Sequence, residues 1–302
     1  MTPFVTPRPR KRGNYDLFST YSWYVPGVSG MFLLLAFILV GTVIGVPVML
    51  LCNTYLGEDY AILITYPLMF IPAMMYSKAA SQHNAAFDPG YKLNSGNFKP
   101  LGGIMCAVLV SIAVLAFNVI MEPINQAMPE MSDTLKQALE SMTEGTLWMN
   151  ILSVSIMAPL FEEWLCRGMV LRGLLNHKDG NGNTMNPYWA IATSALFFAV
   201  IHMNLWQGLN AFAVGFLLGY VYYRTGSLSL TMLMHCVNNS FALILSRILP
   251  EDMADMATWN VIGMVPFLAL FAASVAYMYF FVKKIQTISL QSPQGNCDMI
   301  QE

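Results

Sequence analysis

Eight apolar runs of about 17 residues or more recur along the chain, at roughly 30–52, 60–77, 101–121, 147–171, 187–203, 206–223, 227–249 and 258–282. Each is long enough to cross the ~30 Å hydrocarbon core of a bilayer as an α-helix. Short polar segments punctuate them, the shortest being Asn204 to Gln207 between the fifth and sixth. The pattern predicts an all-α polytopic membrane protein of about eight transmembrane helices. It divides the chain into a tail (1–29), three spans (30–121), an outer loop (122–146), a four-span core (147–249), a last span (250–284) and a second tail (285–302).

Charge supplies the orientation. Arg8, Arg10, Lys11 and Arg12 place the N-terminus in the cytoplasm by the excess of Lys and Arg on that side. Alternating from there, Lys78, Lys92, Lys99, Arg172, Lys178, Arg224, Lys283 and Lys284 all fall inside. Glu58, Asp59, Glu122, Glu130, Asp133, Glu140, Glu144, Glu251, Asp252 and Asp255 fall outside, with only Lys136 and Arg247 against the trend. Both termini are then cytoplasmic. Composition agrees: of 302 residues 56% are hydrophobic and 11% charged, against about 25% charged in a soluble domain. Mean hydropathy is +0.52. The basic N-terminal cluster runs into polar and aromatic residues, unlike a signal peptide.

Five scattered cysteines suggest neither a zinc knuckle nor a disulfide framework. Cys297 is sixth from the C-terminus, so the chain lacks a prenylation box of its own. In the outer loop, Ser132 is placed to cap a short helix on which Leu135, Leu139 and Met142 share a face. The inner loop from Asn176 to Asn186 is rich in turn residues and predicts a solvated connector.

Polar groups inside the runs are the candidates for chemistry. Glu162, Glu163 and Arg167 are the charged residues between Leu147 and Val170. A charge at membrane depth costs at least ~2.5 kcal/mol and needs a partner. Counting ~1.5 Å per residue from the cytoplasmic ends, Glu162 lies ~15 Å deep, His202 ~20 Å, His235 ~12 Å and Asn239 ~18 Å. Three helices thus bring polar groups into one slab near the middle of the bilayer. Glu163 and Arg167, four apart with the acid first, suit a helical ion pair. Glu162 then points roughly 100° away, towards a cavity. Pro159 can kink this helix and free a carbonyl, and His235 and Asn239 share a helical face.

These residues carry a family resemblance. EEWLCR (Glu162 to Arg167), FAVIH (Phe198 to His202) and HCVNN (His235 to Asn239) resemble the EExxxR, FxxxH and HxxxN motifs of the CPBP family of CAAX-protease-like and bacteriocin-processing membrane proteins. Any one motif is weak, whereas the three in order on neighbouring spans are specific. The resemblance covers about 147–249. It implies peptide hydrolysis in an intramembrane catalytic cavity. Glu162 and His202 would position and deprotonate a water, while His235 and Asn239 would donate to the oxyanion. Glu163, Arg167 and Phe198 would support the site. Implied partners are membrane lipid and a peptide or lipidated protein substrate, with no nucleic acid.

No cofactor is required by this reading, although Glu162, His202 and His235 would form a zinc set with an open water position; HExxH is absent. Cys166 and Cys236 are more simply apolar packing residues, and Ser194 lacks a GxSxG elbow. The alternative functions are a non-proteolytic membrane regulator and a transporter. The latter is disfavoured by the lack of an inverted repeat. The compact eight-helix plan suggests a bacterial inner-membrane protein.

Overall fold

A computed structural model describes residues 18–86, 90–137, 145–249 and 256–290. Every regular element among them is helical. In chain order these are α1 (Val28–Leu56), α2 (Glu58–Leu68), α3 (Ile71–Asn84), α4 (Gly103–Gln126), α5 (147–176), α6 (Pro187–Ile201), α7 (Leu205–Thr225), α8 (Leu228–Ile248), α9 (Thr258–Ile262) and α10 (Met264–Gln286). All eight apolar runs became helical. Among the described residues five stretches, Val28–Leu56, Tyr60–Asn84, Gly103–Gln126, Leu228–Ile248 and Met264–Gln286, are long and apolar enough to cross a membrane. The chain is an integral membrane protein.

The breaks between elements have local causes. The second run turns at Met69 and Phe70, between Pro67 and Pro72. The last run was expected as one helix over 258–282. It is instead interrupted at Gly263, whose φ of +90° is outside the range a side chain tolerates. The three residues between α6 and α7 form a tight corner. Asn204 accepts from the Gln207 amide at 2.8 Å to cap α7, and its own amide donates to the His202 carbonyl at 2.9 Å. Ser132 does cap a turn, accepting from the Leu135 amide at 3.4 Å. Leu139 and Met142 lie outside the described residues.

α5 occupies the centre. Residues Trp164 to Leu171 are all buried, as expected of a helix enclosed on every side. α6 and α8 pack directly against it, α4 packs on α8 and α10, and α1 lies over α2 and α3. α5 is also irregular, with π-helical stretches at Ile151–Met157 and Trp164–Leu171 on either side of Ala158–Glu163. The Ala158 amide donates to the Ser153 carbonyl, five residues back. Such wide turns often occur at functional sites.

Arg172 departs from the expectation of a flanking charge in water. It is 2% exposed, and all five of its N–H groups reach backbone carbonyls. Nε donates to Gly168 at 2.7 Å, Nη1 to Ser22 and Tyr91 at 3.2 and 3.0 Å, and Nη2 to Tyr21 and Tyr24 at 3.3 and 2.5 Å. One side chain thereby ties the segment before α1 and the loop after α3 to the end of α5.

We predict that Arg172→Met sharply lowers the yield of monodisperse, detergent-solubilised protein, since each buried carbonyl left without a donor costs ~1–3 kcal/mol. An unchanged thermal midpoint would mean that those carbonyls find other donors.

Candidate active site

The π-helical turns and Pro159 together determine what the site can do. In a π turn the carbonyl of residue i accepts from the amide of residue i+5. The partner of Val154 would be residue 159, which is proline and has no N–H. The Val154 carbonyl is therefore left open, and Asn239 of α8 fills the gap with an Nδ2–H···O bond of 2.9 Å. A carbonyl can only accept, so this contact also fixes which end of the amide faces α5. The carbonyl freed by Pro159 thus anchors a candidate catalytic side chain.

Asn239 is held from its other side as well. Asn238 Nδ2 donates to Asn239 Oδ1 at 3.1 Å, and Asn118 Nδ2 of α4 donates to Asn238 Oδ1 at 3.0 Å. Three asparagines from α4 and α8 form a ladder ending on α5. One Nδ2 hydrogen of Asn239 remains available to a ligand.

The charged groups sit farther along α5. Glu163 and Arg167 are fully buried and paired, Nη1 to Oε1 at 2.7 Å, as their spacing predicts. Arg167 Nη2 donates to the Gly215 carbonyl of α7 at 2.8 Å, and its guanidinium carbon lies 4.9 Å from the centre of the Phe198 ring. A Cβ on Gly215 would come within 3.1 Å of Phe198 and 3.3 Å of Arg167. Glycine at 215 lets α7 approach this closely.

His235 bridges the two glutamates. Its Nδ1 lies 2.9 Å from Glu163 Oε1 and its Nε2 lies 3.6 Å from Glu162 Oε2. With Glu163 ionised, Nδ1–H is the donor and Nε2 is turned to Glu162. Glu162 also accepts a hydrogen bond from the Tyr66 hydroxyl of α2, and is 12% exposed.

His202 closes α6. Its Nδ1 donates to the Phe198 carbonyl at 2.8 Å, leaving the Nε2 lone pair free to take a proton. The Phe198 ring packs edge-to-face with both His202 (centroids 4.8 Å apart) and His235 (5.5 Å). Phe198 is thus the apolar wall on which two imidazoles and a guanidinium are stacked. No hydrogen bond joins Glu162 to His202 among the described residues. Nor do any three His, Cys, Asp or Glu side chains there converge as ligands of one metal ion. Glu162, His202 and His235 do not make such a cluster, and no step below passes through a metal.

The competing nucleophiles are occupied by packing. Ser194 donates to the Cys166 carbonyl at 2.8 Å, and Cys166 is fully buried. Cys236 lies beside Ser240.

Tyr66, Asn118 and Asn238 were absent from the set drawn from the sequence. Asn118 and Tyr66 do carry one available signal, a polar group well inside an apolar run. Nothing in the spacing, however, says which distant helix it meets.

Residues 144–241 match the family model described as type II CAAX prenyl endopeptidase Rce1-like. Over 101 residues the chain is 30% identical to the membrane-embedded CAAX protease MroQ of Staphylococcus aureus (strain USA300). That stretch covers 33% of this chain and 40% of MroQ. There is no significant match to a solved structure.

Pro159→Ala should restore an N–H to the Val154 carbonyl and release Asn239 from α5. If Asn239 serves an oxyanion, worth ~3–4 kcal/mol per donor, turnover should fall at least tenfold with the thermal midpoint unchanged or raised. Unchanged kcat would disconnect the π turn from the chemistry.

Proposed function

We propose that the Rce1-like type II CAAX prenyl endopeptidase domain over residues 144–241 makes this chain an intramembrane endopeptidase. In this reading it cuts a peptide bond in a membrane-associated or lipidated peptide by means of an activated water. The observation that carries the reading is the grouping of polar side chains from α5, α6 and α8, in which His235 bridges Glu162 and Glu163 and the Phe198 ring packs against both His235 and His202.

In the reaction, Glu162 and His202 Nε2 hold a water between them and take its proton as the oxygen attacks the scissile carbonyl carbon. The carbonyl π electrons move to oxygen, and the resulting oxyanion is met by the free Nδ2–H of Asn239 and by His235. Collapse of the tetrahedral species re-forms the C=O and breaks the C–N bond. The proton taken from water leaves with the amine. Preorganised donors of this kind usually supply the largest share of rate enhancement, because they need not reorient as charge develops. Glu163 and Arg167 make no contact with substrate in this scheme. They hold the His235 ring through its Nδ1–H, so that its donor to the oxyanion in this scheme is Nε2–H of the imidazolium, and Tyr66 holds Glu162.

Depth supports the same reading. A water 15–20 Å inside a bilayer, by the helical rise, is accessible to a peptide whose lipid or apolar tail already lies in the membrane. In a bacterial inner membrane with both termini cytoplasmic, as the charge pattern indicates, the substrate is a membrane-associated peptide or protein tail.

The test is cleavage of a diverse peptide library, farnesylated CAAX peptides included, by the purified full chain, with Glu162→Gln and His202→Ala in parallel and chelator in half the samples. We expect specific cleavage by wild type, lost by at least a thousandfold in both variants, which should still elute and melt as wild type does. Cleavage retained by Glu162→Gln would overturn the mechanism. Loss with chelator would assign the water to a metal.

A further inference from the structure

A second site lies at the C-terminal end of α5, beyond the glutamates in the chain, and it does not depend on the proteolytic reading. Where α5 and α7 end and α6 begins, the chain encloses a cavity of about 360 Å³. The loop after α3 and Leu290 beyond α10 complete its wall. Among the described residues its charged lining is Lys92, Arg172 and Arg224, with no carboxylate.

Each cation stands differently. Arg172 spends all five N–H groups on carbonyls, as above, so it contributes only its field. Arg224 donates Nη2 to the carbonyls of Gln286 and Ile288 at 2.7 and 2.5 Å. Its Nε is buried without a partner. Lys92 is half-buried and makes no hydrogen bond or ion pair with any described residue. The ends of α5, α7 and α10 face this region with about half a negative charge each, and the starts of α6 and α8 return about half a positive charge each. Three full positive charges outweigh that balance. The cavity therefore remains positive, with the Lys92 ammonium unspent among the described residues.

Its level in the molecule narrows the ligand. All of its lining segments lie at helix ends on the face that carries most of the Lys and Arg among the described residues. Tyr188 and Trp189, in the first turn of α6 beside the lining residue Pro187, are 58% and 71% exposed. Exposed Trp and Tyr at a helix end mark the headgroup level of a bilayer. Basic pockets between helices on the cytoplasmic side suit acidic headgroups.

We propose that this cavity binds a phosphate group, carried by the headgroup of an acidic glycerophospholipid, with Lys92 as its donor and the charges of Arg172 and Arg224 beside it. The ligand would bridge the loop after α3 to α7, and so brace the C-terminal end of α5.

The test is thermal unfolding of the full chain in neutral detergent, with phosphatidylglycerol, phosphatidylcholine or inorganic phosphate added. The variants are Lys92→Ala and, as a control, Lys178→Ala, an exposed lysine outside the cavity. Phosphatidylglycerol should raise the wild-type midpoint by several degrees with saturation near one lipid per chain, while phosphatidylcholine should not. Lys92→Ala should lose at least half of that shift and Lys178→Ala should keep it. Inorganic phosphate that raises the midpoint and erases the lipid increment would keep the site and make the free ion its source. Equal shifts from both lipids, or a full shift in Lys92→Ala, would overturn the proposal. Native mass spectrometry of lipid retained by each variant gives the same answer should Lys92→Ala melt early on its own.

Discussion

A guanidinium buried at zero exposure inside a membrane helix has to be paired, and in this chain everything near the glutamates follows from how Arg167 is paired. Its bond to Glu163 within the same helix costs no long-range closure. The low-dielectric surroundings make both the attraction and the penalty for a lone charge large. Once Arg167 lies along α5, its second nitrogen reaches Gly215 and draws α7 in. Its flat face rests on Phe198 of α6, and the carboxylate it neutralises receives His235 of α8. Four helices are thus registered by one ion pair. Its role is positional rather than a contribution to net stability, since buried pairs often stabilise no more than apolar residues of like volume.

The second constraint is covalent. Pro159 cannot donate, and α5 widens into π turns on both sides of the EE pair, so a backbone acceptor is exposed where Asn239 can reach it. The ladder Asn118–Asn238–Asn239 then ends on a carbonyl instead of on another flexible side chain. Glu162, between these two fixed groups, faces Tyr66 and His235. The site is rigid behind and open at Glu162, His202 and Asn239, as a group acting on water and a developing oxyanion requires.

Much of this was legible in the sequence for reasons of local geometry. Apolar runs of spanning length gave the helices because backbone groups in hydrocarbon must bond internally. The i, i+4 rule gave Glu163–Arg167, and the shared face gave His235 and Asn239. Legibility ended where contacts joined distant segments. Arg172 has the same flanking position as a solvated interfacial arginine, and only the fold of residues 21–24 and Tyr91 around it distinguishes the two. Tyr66 and Asn118 lie in helices that match no motif. The π turns have no residue pattern of their own, although Pro159 marked the place. The division at Gly263 was missed because hydropathy averages over a single glycine.

The most direct measurement on the central constraint is a double-mutant cycle on the buried pair, reading thermal stability for Arg167→Met, Glu163→Gln and the two combined. The account predicts that Arg167→Met alone is the worst of the three, because it strands the Glu163 charge at ~3–5 kcal/mol, and that adding Glu163→Gln recovers much of the loss. A double variant as unstable as the sum of the single ones would contradict it, and would show that the two side chains are held by their surroundings rather than by each other.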